Sequence, residues 1–178
     1  MAKQFTSIEP PVKEFIEAQR IFFVGTATAE GRVNVSPKGM DTLRVLGSNR
    51  VLWLNLTGSG NETAAHLREH NRITLVFCAF EGKPNITRLY GTARVIHPKD
   101  ESWTELIRWF PPLPGSRQVI DVTVDLVQTS CGMAVPFMDF QGERHELKEW
   151  AEKQGEEKVR EYQERKNKLS LDGKPTGM

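Results

Sequence analysis

Net charge is almost absent from this sequence: 24 Lys and Arg stand against 23 Asp and Glu, leaving +1 at neutral pH. A binder of phosphate backbones needs a concentrated basic face, so nucleic acid is excluded as the expected partner. Long apolar runs are missing as well. No stretch approaches the roughly 20 residues that span a bilayer, and the N-terminus reaches polar Glu9-Pro10-Pro11 too soon for the apolar core of a secretory signal. The expectation is a cytoplasmic protein without a membrane segment. Cysteine is scarce too, and Cys78 and Cys131 show no framework spacing, which suits a reducing compartment. Cys131 has no pairing base beside it in sequence and reads as a buried thiol. The Asn-x-Thr triplets at Asn55, Asn61 and Asn85 would matter only in a secreted chain and are taken as incidental.

What is present is enough for one domain, since a chain of 178 residues can bury roughly 70 % of its unfolded surface around a single core. Pro10-Pro11 followed by Val12, Phe15 and Ile16 predicts a short opening helix. Runs of Val, Phe, Thr and Leu cut by glycine turns then predict strands over 21–28, 32–38, 42–47 and 51–56. A short helix should follow from Asn61, its N-cap, to about His70, and a hairpin of two long strands over 73–80 and 86–96. A helix over 99–110 stops at Pro111-Pro112, and the alternation of 119–127 predicts one more strand. Helices do not alternate with strands, so the fold class is mainly β: an antiparallel barrel of about seven strands with short peripheral helices. Residues 1–142 form that domain. From 143 to 178 the composition turns charged, with acidic and basic residues spaced for helical ion pairs, which predicts a helix or two lying on the barrel or on a partner subunit.

Three places could carry chemistry. Gly58-Ser59-Gly60-Asn61-Glu62-Thr63 feeds a flexible turn into a helix N-terminus, where free N–H groups and the positive end of the dipole suit a phosphate. An ordinary capped helix would look the same. Val35-Ser36-Pro37-Lys38-Gly39 ends a strand with a proline, which marks an edge where Ser36 and Lys38 can turn a hydroxyl and a cation toward a ligand; an exposed lysine at a strand end is the plainer reading. Arg88 lies mid-strand, where an inward charge requires an anion, either a ligand's or a neighbouring carboxylate. His66-Leu67-Arg68-Glu69-His70 matches the pattern of inverted zinc proteases, but the helix ends there with no third ligand, so no metal is expected and both histidines read as surface residues.

In order, Ser36-Pro37-Lys38-Gly39, then the Gly58 to Leu67 segment, then Arg88-Leu89-Tyr90-Gly91-Thr92-Ala93-Arg94 resemble the pyridoxamine 5'-phosphate oxidase-like flavoproteins. Val127-Gln128-Thr129-Ser130-Cys131-Gly132 and Asn167-Lys168-Leu169-Ser170-Leu171-Asp172-Gly173 resemble a subgroup of unassigned substrate. The resemblance implies an FMN-binding split β-barrel, residues 1–142, that works as a homodimer with FMN at the subunit interface. By position, Ser36, Pro37 and Lys38 would lie along the cofactor, and Leu54-Asn55 would approach its ring or ribityl chain. Asn61, Glu62 and Thr63 stand at the phosphate-binding helix start, Arg88 would come from the neighbouring strand pair, and Arg117 would form another wall. The implied activity is an FMN-dependent oxidoreductase acting on an unidentified small molecule. A non-catalytic flavin-binding or sensing module and the pyridoxamine 5'-phosphate oxidase reaction itself are the alternatives. The family's closing Arg-Leu-x-Pro pattern is not present, which points away from the vitamin B6 reaction.

Overall fold

The computed structural model describes residues 2–178. Its elements are β1 (Lys3–Phe5), α1 (Pro10–Ala18), β2 (Phe22–Thr26), β3 (Asn34–Lys38), β4 (Leu43–Gly47), β5 (Arg50–Leu56), α2 (Glu62–Glu69), β6 (Arg72–Cys78), β7 (Ile86–Ile96), α3 (Trp103–Leu106), β8 (Ser116–Ser130) and α4 (Glu146–Lys166). All strand pairs are antiparallel, in the order β3-β2-β6-β7-β8-β5-β4, with β1 added to β8.

Connectivity alone forces this sheet to curl. β3 and β4 stand at opposite ends of a seven-strand path, so a flat sheet would hold them about 29 Å apart at roughly 4.8 Å per strand. Yet only residues 39–42 join them, and five extended steps reach at most about 18 Å. The sheet must therefore roll until its two edges approach each other, which is an open-sided barrel. The corner is tight: Met40 and Asp41 adopt left-handed φ values of 62° and 54°, and the Leu54 N–H donates to the Thr42 carbonyl at 2.8 Å.

Strand parity then fills the interior. Phe22, Val24, Val51, Trp53, Phe77 and Leu89 point inward with α1 closing one end through Val12 and Ile16. β5 is apolar on both faces because its outer residues Leu52 and Leu54 form a second core with Leu106 and Phe110 of the α3 segment. The 99–110 helix is shorter than the sequence predicts. Asp100 spends its carboxylate on the His97 N–H and makes a turn, leaving only α3 and a 3-10 turn at Ile107–Trp109 before Pro111.

Two further departures concern length. β8 runs fifteen residues, from Ser116 rather than 119 to Ser130 rather than 127, and its extension at the far end gives β1 a partner. A three-residue strand has no alternation to read, so the eighth strand is invisible in sequence. Cys131 lies just past β8 and is exposed, not buried. Among the described residues no helix is long and apolar enough to cross a membrane.

The charged C-terminal stretch forms a hairpin. Gly155 takes φ 77°, ψ 162° and breaks α4 into arms of 146–154 and 156–166. Trp150 and Tyr162 would be about 18 Å apart along a straight helix, but their rings meet edge to face at 5.2 Å. Both arms rest on the barrel of the same chain. Ala151 is buried beside Gly115, and Gln163 donates to Thr57 at 2.7 Å.

Candidate functional site

The open side of the barrel, together with α2 and the chain that follows α4, surrounds a cleft of about 580 Å³. That lies within the range of small-molecule sites, about 300–1,000 Å³. β3 contributes Asn34, Ser36 and Lys38, which are half-buried on one row of its pleat, while Val35 and Pro37 between them are exposed. β3 is an edge strand, as the proline requires. β5 delivers Asn55, the Gly58-Ser59-Gly60 turn leads into α2, and the start of β8 delivers Arg117.

Polar side chains here are bonded in two connected sets. The Ser36 hydroxyl donates to Asn34 Oδ1 at 2.8 Å, and the Asn34 amide donates to Thr26 Oγ1 at 3.1 Å and Thr63 Oγ1 at 3.2 Å. Thr26 Oγ1 lies 3.1 Å from Nδ1 of His66. On the other side Asn55 Nδ2 donates to Gln118 Oε1 at 3.0 Å and to Asn61 Oδ1 at 3.4 Å. Asn61 thus uses its side chain inward and makes no cap bond to α2, contrary to its expected role as N-cap. The first N–H groups of that helix are left without a side-chain cap beside the cleft.

Electrostatically the cleft holds cations without counter-charges. Arg117 is 3 % exposed; its Nη1 donates to the Gly60 carbonyl at 3.0 Å and to Asn167 Oδ1 at 2.6 Å, both neutral oxygens. Its Nε is buried with no partner. Burial pulls the guanidinium down to about 10, against a smaller upward pull from Tyr162. Lys38 places its ammonium 5.0 Å from the centre of the Trp53 ring, and burial, then the charge of Arg117, lower it to about 8. Neither cation has a carboxylate within ion-pair distance among the described residues. Glu62, the one carboxylate on the lining, sits at the rim and accepts the Leu171 N–H with both oxygens, at 2.9 and 3.1 Å. Exposed Pro37, Leu169 and Leu171 add apolar side chains to the lining, beside exposed Lys166.

Of the residues picked out from the sequence, Ser36, Pro37, Lys38, Asn55, Asn61, Glu62, Thr63 and Arg117 gather around this cleft. Leu54 does not. Successive residues of a strand face opposite ways, so once Asn55 turns to the cleft Leu54 must enter the second core, where it is fully buried. Arg88 does not either. It pairs with Gln128, ten residues along β8 from the Gln118 that faces Asn55, which is roughly 33 Å of strand. Its guanidinium donates instead to Ser130 Oγ at 3.1 Å.

Sequence reasoning missed Asn34, His66 and Asn167. Asn34 was within reach, because it shares the period-two row of Ser36 and Lys38. His66 was read as a surface residue but is 1 % exposed, since α2 lies against β2 and β7. Asn167 is fifty residues from Arg117 and carries no local signal.

The chain matches the family model described as pyridoxamine 5'-phosphate oxidase over residues 8–131. It is 36 % identical over 191 residues to the pyridoxamine 5'-phosphate oxidase family protein ustO of Aspergillus flavus, covering 96 % of this chain and 76 % of that one. Among solved structures it is similar to HupZ of Group A Streptococcus, with a TM-score of 0.53 and 20 % identity over 67 % of this chain and 91 % of that one. A pyridoxinephosphate oxidase family protein of Clostridium acetobutylicum, related to general stress protein 26, gives a TM-score of 0.50 at 18 % identity, over 75 % and 92 % of the two chains. At such identities these structures speak for the split-barrel fold alone.

Proposed function

Because the chain belongs to the pyridoxamine 5'-phosphate oxidase family, we propose that it is a flavin-binding oxidoreductase that takes FMN in the cleft beside α2. One observation carries this reading: buried Arg117 and half-buried Lys38 share a cleft, neither has a carboxylate within ion-pair distance among the described residues, and Arg117 Nε has no partner. Leaving a charge buried and unpaired is costly, so the arrangement calls for a ligand anion. A phosphate monoester meets the donor set, with the uncapped start of α2 adding N–H groups. The apolar side chains of Pro37, Leu169 and Leu171 on the lining suit a flat ring system.

When bound, FMN supplies the two-electron redox chemistry. The residues of this chain hold and orient it. Arg117 and Lys38 fix the phosphate, Asn55 and Ser36 offer polar contacts along the chain between phosphate and ring, and Pro37 lies at the mouth. The substrate is an unidentified small molecule. A second reading, a flavin-binding module without turnover, is favoured by the engagement of Glu62 with Leu171, which leaves no free carboxylate on the lining to act as a base.

We also propose a homodimer. Met133 and Phe137 are 83 % and 82 % exposed on the segment after β8, apolar surface that a partner would cover. Only a second copy could bring Arg88 to a flavin, given its distance from the cleft of its own chain.

The test is the absorption spectrum of freshly purified protein, with mass identification of whatever is released on denaturation. Yellow protein releasing FMN is the expected result; colourless protein that gains no thermal stability from added FMN would sink the reading. Reduction by NADH or NADPH followed by reoxidation in air separates an enzyme from a module that is inert to both.

A further inference from the structure

The stretch 167–178 is docked rather than loose. A turn at residues 170–173 is closed by the Gly173 N–H to the Ser170 carbonyl at 3.0 Å, and Leu169 bridges Pro175. Asp172 binds the Arg32 side chain and, at 2.8 Å, the Arg32 N–H, over a glycine at 31 where any Cβ would strike the carboxylate. Lys174 pairs with Glu69 at 2.7 Å. These anchors hold the strap against the β2–β3 connection and the last residue of α2, while the Leu171 N–H reaches Glu62 at the start of that helix.

At its root stands Asn167, with no exposed surface. Its Oδ1 accepts from Arg117 Nη1 at 2.6 Å, and its Nδ2 donates to the Gly58 carbonyl at 3.0 Å. Its backbone carbonyl takes the Thr176 hydroxyl at 2.6 Å and, at 3.5 Å, the Asn61 amide. One side chain therefore ties the cation of the cleft to the turn that precedes α2.

The chemistry of that side chain matters. A buried arginine ordinarily meets a carboxylate, which would fix its position and cancel its charge together. An asparagine does only the first. It holds the guanidinium by a neutral oxygen and leaves its charge uncancelled for a ligand.

We propose that Asn167 is a positioning residue for the anion site, holding Arg117 oriented but unneutralised so that a phosphate monoester supplies the missing counter-charge. This rests on the reading of the cleft as a phosphate site, and it gives the strap 167–178 a role in ligand binding within the same chain.

The test is a double-mutant cycle on flavin-stripped protein, using Asn167→Ala, Arg117→Gln and their combination. Two ligands are titrated, FMN by flavin fluorescence and inorganic phosphate by thermal stabilisation. Asn167→Ala is expected to weaken both about tenfold, the scale of losing a group that orients a direct ligand. In the Arg117→Gln background the same change should cost less than about twofold, because nothing is left to position. A purely structural role would cost the same in both backgrounds, and that result overturns the inference.

Asn167→Asp provides a second arm if the alanine variant fails to fold. The aspartate keeps the acceptor for Arg117 but cancels its charge and gives up the bond to the Gly58 carbonyl, so phosphate and FMN affinity should fall about tenfold, and much less in the Arg117→Gln background, where no charge is left to cancel. Unchanged affinity in this variant also overturns it. If wild-type protein binds phosphate with this coupling but ignores FMN, the flavin reading fails and the positioning role stands. Tight FMN binding indifferent to Asn167 refutes the positioning role alone, and wild-type protein that binds neither ligand refutes both.

Discussion

Lys38 is where the pH dependence of ligand binding should originate. Its folded-state value is lowered by burial and by Arg117 to about 8, below the ordinary 10.5. The charged form is thus disfavoured in the folded protein below that value, and stability rises as pH climbs from about 8 toward 10.5 and the penalty is relieved. Anion binding has the opposite sign, since it requires the ammonium. FMN or phosphate affinity should fall as pH passes 8, and Lys38→Met should weaken binding at pH 7 and flatten that profile, measured by titration between pH 6.5 and 9. Asp121 is the converse case. Burial alone would raise its carboxyl, but the guanidinium groups of Arg50 and Arg94 outweigh it and hold the group below 3.8. Its contribution is fully present above the unfolded value and is lost as pH falls through the folded one. Asp121→Asn should cost about 1–3 kcal/mol at pH 7 and progressively less as pH is lowered below 3.8, read from urea denaturation. Ser36 and Lys38 were legible because the proline between them marks an edge strand, whereas parity, left unused, would have added Asn34 to their row and sent Leu54 to the face opposite Asn55.

Elements differ in how much local chemistry determines them. α1 follows from its prolines and apolar spacing, and the β6–β7 hairpin from two long β-branched runs, so both were readable. The reach of β8 and the hairpin in α4 were not, because each depends on what the element meets. Two glycines test this. Gly91 lies at the bulge between β7 and β8, and a Cβ there would overlap the Thr123 carbonyl in the middle of the sheet. Gly91→Ala should cost about 3 kcal/mol or more. Gly155 sits at φ 77°, ψ 162° in open space, so Gly155→Ala carries only backbone strain and should cost about 1–3 kcal/mol. Denaturant midpoints at constant slope distinguish the two.

The whole molecule is proposed to act as a pair. Light scattering should give twice the monomer mass, and an interface of well over about 1,000 Å² would be needed to hold it. Phe137→Asp, which places a charge on the most exposed apolar segment, should shift the protein toward monomer and weaken FMN binding if Arg88 is supplied by the second copy. A strictly monomeric wild-type protein would contradict the pairing.

Composition, hydrophobic period and turn residues, all properties of neighbours along the chain, determined by themselves the class of fold, most of its strands and the segments on which a ligand site could be built. Only the tertiary structure decided which of those segments meet. It curled the sheet so that the β3 edge faces the β8 start, sent Arg88 to the far end of its strand, and set Asn167 against Arg117 across fifty residues. Such contacts arise from chain closure and packing over long separations, and those leave no trace in local pattern.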